Sequence, residues 1–190
     1  VNTLYIAPIG TVDSAPLEWI EDAAAEWFPF PVARLAPVPM PEGAYDPARM
    51  QYQSVHIMHA LAEALPGDSI RLLGATEADL EIPMLSFLFG QAQLEGPVAL
   101  ISFCRLRQEF YGLPPDPALL RQRTVKEALH ELGHTFGLTH CSEPACVMSL
   151  ATHIALVDRK SERYCAHCGT RLAHRLAMQA IQPALEGALE

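Results

Sequence analysis

The sequence predicts an α/β domain in which a twisted, mixed but mostly parallel sheet supports one long helix, with a small C-terminal part after it. Three observations lead there. Short apolar runs alternate with segments of helical periodicity as far as Leu73, a long helical pattern over 117–136 carries the run His130-Glu131-Leu132-Gly133-His134, and four of the five cysteines follow it in two close pairs. Strand, helix, strand, helix, strand gives a layered parallel sheet, because each crossover helix returns the chain in the direction it left.

Each element has a local reason. Residues 4–8 are an apolar run closed by Pro8 and Gly10, which reads as a buried strand. Over 16–28, Leu17, Ile20, Ala24 and Trp27 recur at helical spacing, with Ser14 or Ala15 near the cap and Pro16 in the first turn. Residues 32–38 read as a second strand, 50–65 as a helix closed by Pro66 and Gly67, and 69–73 as a third strand. Residues 87–94 and 98–103 form a hairpin-like pair around Glu95, Gly96 and Pro97. Asp116 is a good N-cap with Pro117 at the first helical position, so the long helix runs over 117–136. Leu120, Val125, Leu129, Leu132 and Phe136, with Leu119, give it an apolar face to lie on the sheet. Residues 149–164 read as loop, and 170–181 as a helix ahead of Pro183.

Composition sets the limits. A chain of 190 residues, 50% hydrophobic and 18% charged, is most simply one domain with a sizeable core, here 1–137 for the sheet and long helix and 138–190 for the C-terminal part. A formal charge of −9 opposes a nucleic-acid partner. No run is long enough to span a membrane, and the N-terminus has neither a basic n-region nor a cleavage site, so a cytoplasmic monomer is expected. Close-spaced cysteines suit metal binding in a reducing compartment better than disulfides. Cys104, flanked by apolar residues, is expected as a buried thiol in a strand, and His56 and His59 as surface or packing residues.

The chemistry sits in His130 to Met148. His130 and His134 project from one helix face a turn apart, close enough to ligate one ion, and Glu131 lies beside them. H-E-x-x-H supplies two neutral imidazoles for Zn²⁺ and a carboxylate that takes a proton from the water it activates. Gly137 can adopt the left-handed conformation that ends a helix, and the turn brings His140 back as third ligand, leaving one position open as catalytic zinc requires.

With Cys141, Cys146, Cys165 and Cys168 added, the pattern H-E-x-x-H-x-x-G-x-x-H-C-x₄-C-x-M, then C-x-x-C, resembles the archaemetzincins, a metzincin family of zinc metallopeptidases. The interval before the last pair is one residue shorter than in the family, which affects that loop's conformation and leaves the ligand set unchanged. The resemblance implies a metzincin-like fold, peptide hydrolysis with Glu131 as general base, Met148 in a turn beneath the metal, and an antiparallel edge strand, residues 87–94, that binds peptide or protein substrate in extended form. The four cysteines make a closed, structural zinc site, so two zinc ions per chain are expected; His167 finds the tetrahedron full, and His153 and His174 face solvent. The alternative is a non-enzymatic zinc-stabilised module that binds a protein partner, against which Glu131 argues. A zinc deaminase fails on spacing, since it needs H-x-E and P-C-x-x-C.

Overall fold

The computed structural model describes residues 2–186, with side chains as far as 179; Val1 and residues 187–190 lie outside the description, and with them the ends of the single-domain assignment. The main sheet is built from β1 (Thr3–Ile9), β2 (Val32–Arg34), β5 (Ser69–Thr76), β8 (Gly90–Ala92) and β9 (Val98–Ser102), in the order β2-β1-β5-β9-β8. All its pairs are parallel except β8 with β9, which places an antiparallel strand at one edge. The expected α/β architecture, mostly parallel with an added antiparallel edge, is therefore present.

Strand periodicity sorts the interior into two cores. Leu4, Ile6, Leu73, Ala75, Ala99 and Ile101 face α1 (Ser14–Trp27) and α3 (Pro117–Thr135), while Ala7, Ile9, Leu72, Val98 and Leu100 face α2 (Ser54–Glu63). Alternate residues of one strand point to opposite faces, so a strand covered on both sides carries a near-continuous apolar run. Leu129, Leu132 and Phe136 clamp α3 into the first core with 2% exposure or less. Truncating either leucine to Ala would cost about 2–5 kcal/mol.

A second, four-stranded sheet went unforeseen. It consists of β3 (Tyr45–Asp46), β4 (Gln51–Gln53), β6 (Leu80–Ile82) and β7 (Leu85–Leu88), ordered β3-β4-β6-β7. Its pairing shortens the helix expected over 50–65, because Gln51–Gln53 is drawn out to bond with β3 and β6 and α2 begins only at Ser54. The strand expected over 87–94 also divides: β7 belongs to the second sheet and β8 to the first. Val32–Arg34 is shorter than expected, since Pro37 lacks the N–H that a ladder needs; the chain rejoins β1 only at an isolated bridge between Ile9 and Val38.

The 149–164 stretch contains α4 (Ile154–Arg159), anchored to α3 by Arg123, whose guanidinium donates to both Asp158 oxygens at 2.7 and 2.8 Å. α5 (Ala166–Glu186) starts within the last cysteine pair and continues past Pro183. Proline's fixed φ is itself helical, so it removes a hydrogen bond without dictating where the helix ends. Cys104 lies in the turn after β9 and is half-buried, because Ser102 ends the strand; burial pushes its thiol up to about 11. His153 and His174 are exposed as expected, His56 and His59 take the surface role, and His167 is exposed as well. Among the described residues no helix is long and apolar enough to cross a membrane.

Candidate active site

α3 is fixed before it presents any ligand. Asp116 Oδ1 accepts from the Leu119 N–H at 2.9 Å, and Pro117 occupies the first helical position. His130 and His134 then share a face, with ring centroids 4.6 Å apart. Each ring is held from behind: Nδ1 of His130 donates to the Val147 carbonyl at 2.8 Å, and Nδ1 of His134 to the Leu138 carbonyl at 2.7 Å. A carbonyl only accepts, so both hydrogens sit on Nδ1 and both Nε2 atoms carry bare lone pairs. These two Nε2 atoms face each other at 3.1 Å.

Gly137 ends the helix with φ +85°, the left-handed conformation that favours glycine. Leu138 N–H bonds to the Gly133 carbonyl at 3.0 Å and Gly137 N–H to the His134 carbonyl at 2.9 Å, the paired bonds of a Schellman motif. That turn carries His140 back, so the three imidazoles offer ligand atoms all within 4.8 Å of one another. Burial holds all three below the ordinary imidazole range, most strongly His130, where the Lys160 charge adds to it.

Glu131 is buried between the helix and the edge strand. Burial, and after it the Glu127 charge, raises its carboxyl well above the usual range. Gly90 of β8 lies directly over it: a Cβ there would sit 2.7 Å from Glu131 Oε1. Beneath the helix Met148 is fully buried, and a Cβ on Gly133 would lie 2.5 Å from its Sδ. Glycine at 133 therefore lets the thioether rise under the imidazoles. Tyr164 fastens the C-terminal part to the same helix, its OH donating to the Leu129 carbonyl at 2.7 Å.

The sulfurs of Cys141, Cys146, Cys165 and Cys168 also lie within 4.8 Å of one another, with Cys141 and Cys165 at 3.8 Å. Backbone N–H groups point at them, from Cys165 to Cys146 Sγ at 3.3 Å and from Cys168 to Cys165 Sγ at 3.5 Å. The Cys168 N–H brings the Cys165 thiol down to about 7, whereas burial pushes Cys146 and Cys168 up.

Both donor sets fit zinc. Tetrahedral Zn–N bonds separate two nitrogens by about 3.3 Å and Zn–S bonds separate two sulfurs by about 3.8 Å, close to the distances here. Two lone pairs at 3.1 Å repel unless a cation lies between them, and buried thiols ionise together only around one.

A cleft of about 630 Å³ runs between α3 and the β7–β8 segment, reaching His130, Glu131, His134 and His140. Sequence reasoning missed two groups in it. Lys160 Nζ donates to Glu127 Oε1 at 3.0 Å and lies 3.4 Å from His130 Nδ1, with both residues of the pair 3% exposed. The signal available was Glu127 one turn before Glu131; its partner is 33 residues away.

Fold and site together define a class, the zinc metallopeptidases of metzincin type, in which a sheet-backed helix bears H-E-x-x-H and a glycine turn returns a third histidine. Within that class, residues 21–174 match the model of peptidase family M54, and the chain belongs to that family. It is 46% identical over 136 residues to an archaemetzincin of Methanocaldococcus jannaschii, covering 72% of this chain and 74% of that one. A Pyrococcus furiosus archaemetzincin is 47% identical over 135 residues, covering 70% of each chain. The crystal structure of archaemetzincin from Methanopyrus kandleri superposes with a TM-score of 0.83 at 36% identity, covering 93% of this chain and 96% of that one. A zinc-dependent peptidase from Methanocorpusculum labreanum gives 0.80 at 29%, covering 89% and 99%. The archaemetzincin resemblance read from the motif is borne out.

Proposed function

We propose that peptide bonds are hydrolysed between α3 and β8 with Glu131 as general base, a catalytic zinc held by His130, His134 and His140, and a structural zinc held by Cys141, Cys146, Cys165 and Cys168. The observation that carries this reading is the pair of bare Nε2 atoms facing each other at 3.1 Å beside a buried carboxyl. When bound, the catalytic zinc supplies Lewis acidity, lowering the pKa of a water and polarising the scissile carbonyl. Glu131 takes the proton of the attacking water and passes it to the leaving amine. Burial raises its carboxyl above the usual range, which favours its holding the proton between the two transfers. The Val147 and Leu138 carbonyls hold the imidazoles in the tautomer that a metal needs.

The substrate lies along β8. Ser102 N–H bonds to the Phe89 carbonyl and Gln93 N–H to the Val98 carbonyl, so the antiparallel alternation turns the backbone groups of Gly90 and Ala92 outward from β9. An extended peptide pairs with that open edge, which suits an enzyme of peptide or protein substrates. The chain acts as one domain and as a monomer. The −9 charge opposes nucleic acid, and four thiolates favour the reducing cytoplasm.

Glu131→Ala tests the mechanism. The variant keeps its zinc, because Glu131 is not a ligand in this reading, while hydrolysis of a cleavable peptide falls by roughly 10² to 10⁴. Full activity at unchanged zinc content defeats the mechanism, and a wild-type protein inert across a broad peptide library favours the binding module instead.

A further inference from the structure

The cleft has an apolar rim that the catalytic machinery does not use. Leu85, Leu94 and Leu150 are 50%, 57% and 52% exposed, and all three line the cleft. Isolated exposed leucines are ordinary on a protein surface, but three from separate segments around one cleft form a surface awaiting an apolar partner. Leu85 belongs to β7, Leu94 follows β8 in the turn whose Glu95 N–H bonds to the His134 carbonyl, and Leu150 follows Met148. Phe87 backs the rim, held by the Arg105 guanidinium 4.2 Å over its ring, which is itself paired with Asp79.

Charge points the same way. Among the described residues lining the cleft, the charged groups besides Glu131 are Glu127 and Lys160, and these neutralise each other at 3.0 Å. Gln91 on β8 is turned to the opposite face of the sheet, where its Oε1 accepts from Ser54 Oγ at 2.6 Å. On the catalytic face β8 offers only Gly90 and Ala92, so the strand contributes space and the leucines contribute contact.

We infer that this cleft selects extended peptide segments with large apolar side chains flanking the scissile bond, and that Leu94 and Leu150 determine that specificity. The inference rests on the peptidase reading and narrows its substrate class. Extended, apolar segments are buried in folded proteins, so the substrates are unfolded chains or peptides.

A peptide library with apolar, acidic, basic and small residues flanking the cleavage position tests it, with Leu94→Asp and Leu150→Asp beside the wild type. Both side chains are more than half exposed, so neither change should unfold the protein, and melting temperature and zinc content check this. Wild type should cut between apolar residues, and each Asp variant should lose about 10- to 100-fold in kcat/KM on those peptides while gaining on basic ones. Cleavage flanked by acidic or small residues, or an unchanged profile in both variants, overturns the assignment. The same peptides are titrated against Glu131→Ala by fluorescence anisotropy. If the wild type cuts nothing, the peptidase reading fails, and this binding profile still decides the inference: a tenfold preference for apolar peptides supports it and equal affinities overturn it.

Discussion

Replacing Gly90 by Ala separates the chemistry of this site from its stability. Gly90 is outside the left-handed region, so alanine can take its backbone conformation without strain, but the new Cβ would stand 2.7 Å from both Cγ and Oε1 of Glu131 and 2.8 Å from its Cδ. Ordinary contact begins near 3.4 Å. The carboxylate must therefore retreat by about 0.7 Å, a displacement that its side-chain torsions absorb for about 0.5–1.5 kcal/mol. Against this, alanine recovers about 0.5–1 kcal/mol of backbone entropy relative to glycine in a strand. The two nearly cancel, so the melting temperature should move by no more than about 3 °C. Catalysis has no such compensation, because a misplacement near 1 Å costs on the order of 10²-fold in rate. Gly90→Ala should therefore show kcat reduced about 10- to 100-fold on a cleavable peptide, with zinc content and melting temperature near wild type. Steady-state kinetics, elemental analysis and calorimetry on one preparation measure all three. Full kcat would mean that Glu131 need not sit where the structure has it, and a rate loss accompanied by lost zinc or a large fall in melting temperature would mean that Gly90 supports the fold instead.

The two donor sets should behave differently when broken. Protein purified without chelator should contain two zinc ions per chain by elemental analysis; Cys146→Ser should lower the melting temperature strongly, while His140→Ala should leave it largely intact, since a closed thiolate site contributes folding energy and an open site contributes chemistry. Equal thermal loss in both variants would refute that division. The Glu127–Lys160 pair, buried on both sides, should tolerate loss of both charges better than loss of one. Lys160→Met alone should cost about 3–5 kcal/mol in denaturant unfolding, and adding Glu127→Leu should restore part of it, because what is costly is the charge left unpaired.

Most of the candidate histidine site's geometry was legible from the sequence, and for a local reason. The relation of His130 to His134 is the 3.6-residue repeat of a helix, the return of His140 follows from a glycine that can take φ +85°, and Asp116 with Pro117 marks where the helix begins. Each depends on neighbours within about one or two turns, so the order of residues is enough. The apolar runs likewise disclosed β1, β5 and β9, because a strand covered on both faces carries a near-continuous apolar run; Arg71 of β5 is a buried exception, its guanidinium donating to the Thr135 carbonyl at 3.1 Å.

What the tertiary structure alone decided depends on partners far away in the chain. Residues 87–94 carry one continuous strand-like pattern, yet β7 bonds to β6 and β8 to β9, so the break at Phe89 is set by which edges are free. Gln51–Gln53 became strand because β3 and β6 offered hydrogen bonds that helix periodicity could not outbid. The Val147 and Leu138 carbonyls that fix the imidazole tautomers, the Gly90 backbone over Glu131, and Lys160 against Glu127 are likewise meetings of separate segments. The sequence thus determined which atoms could bind a metal, because that follows from residue type and short-range geometry. Which lone pairs are bare, how deeply the carboxyl is buried and what lines the cleft were decided by packing, because protonation and dielectric depend on everything that surrounds a group in space.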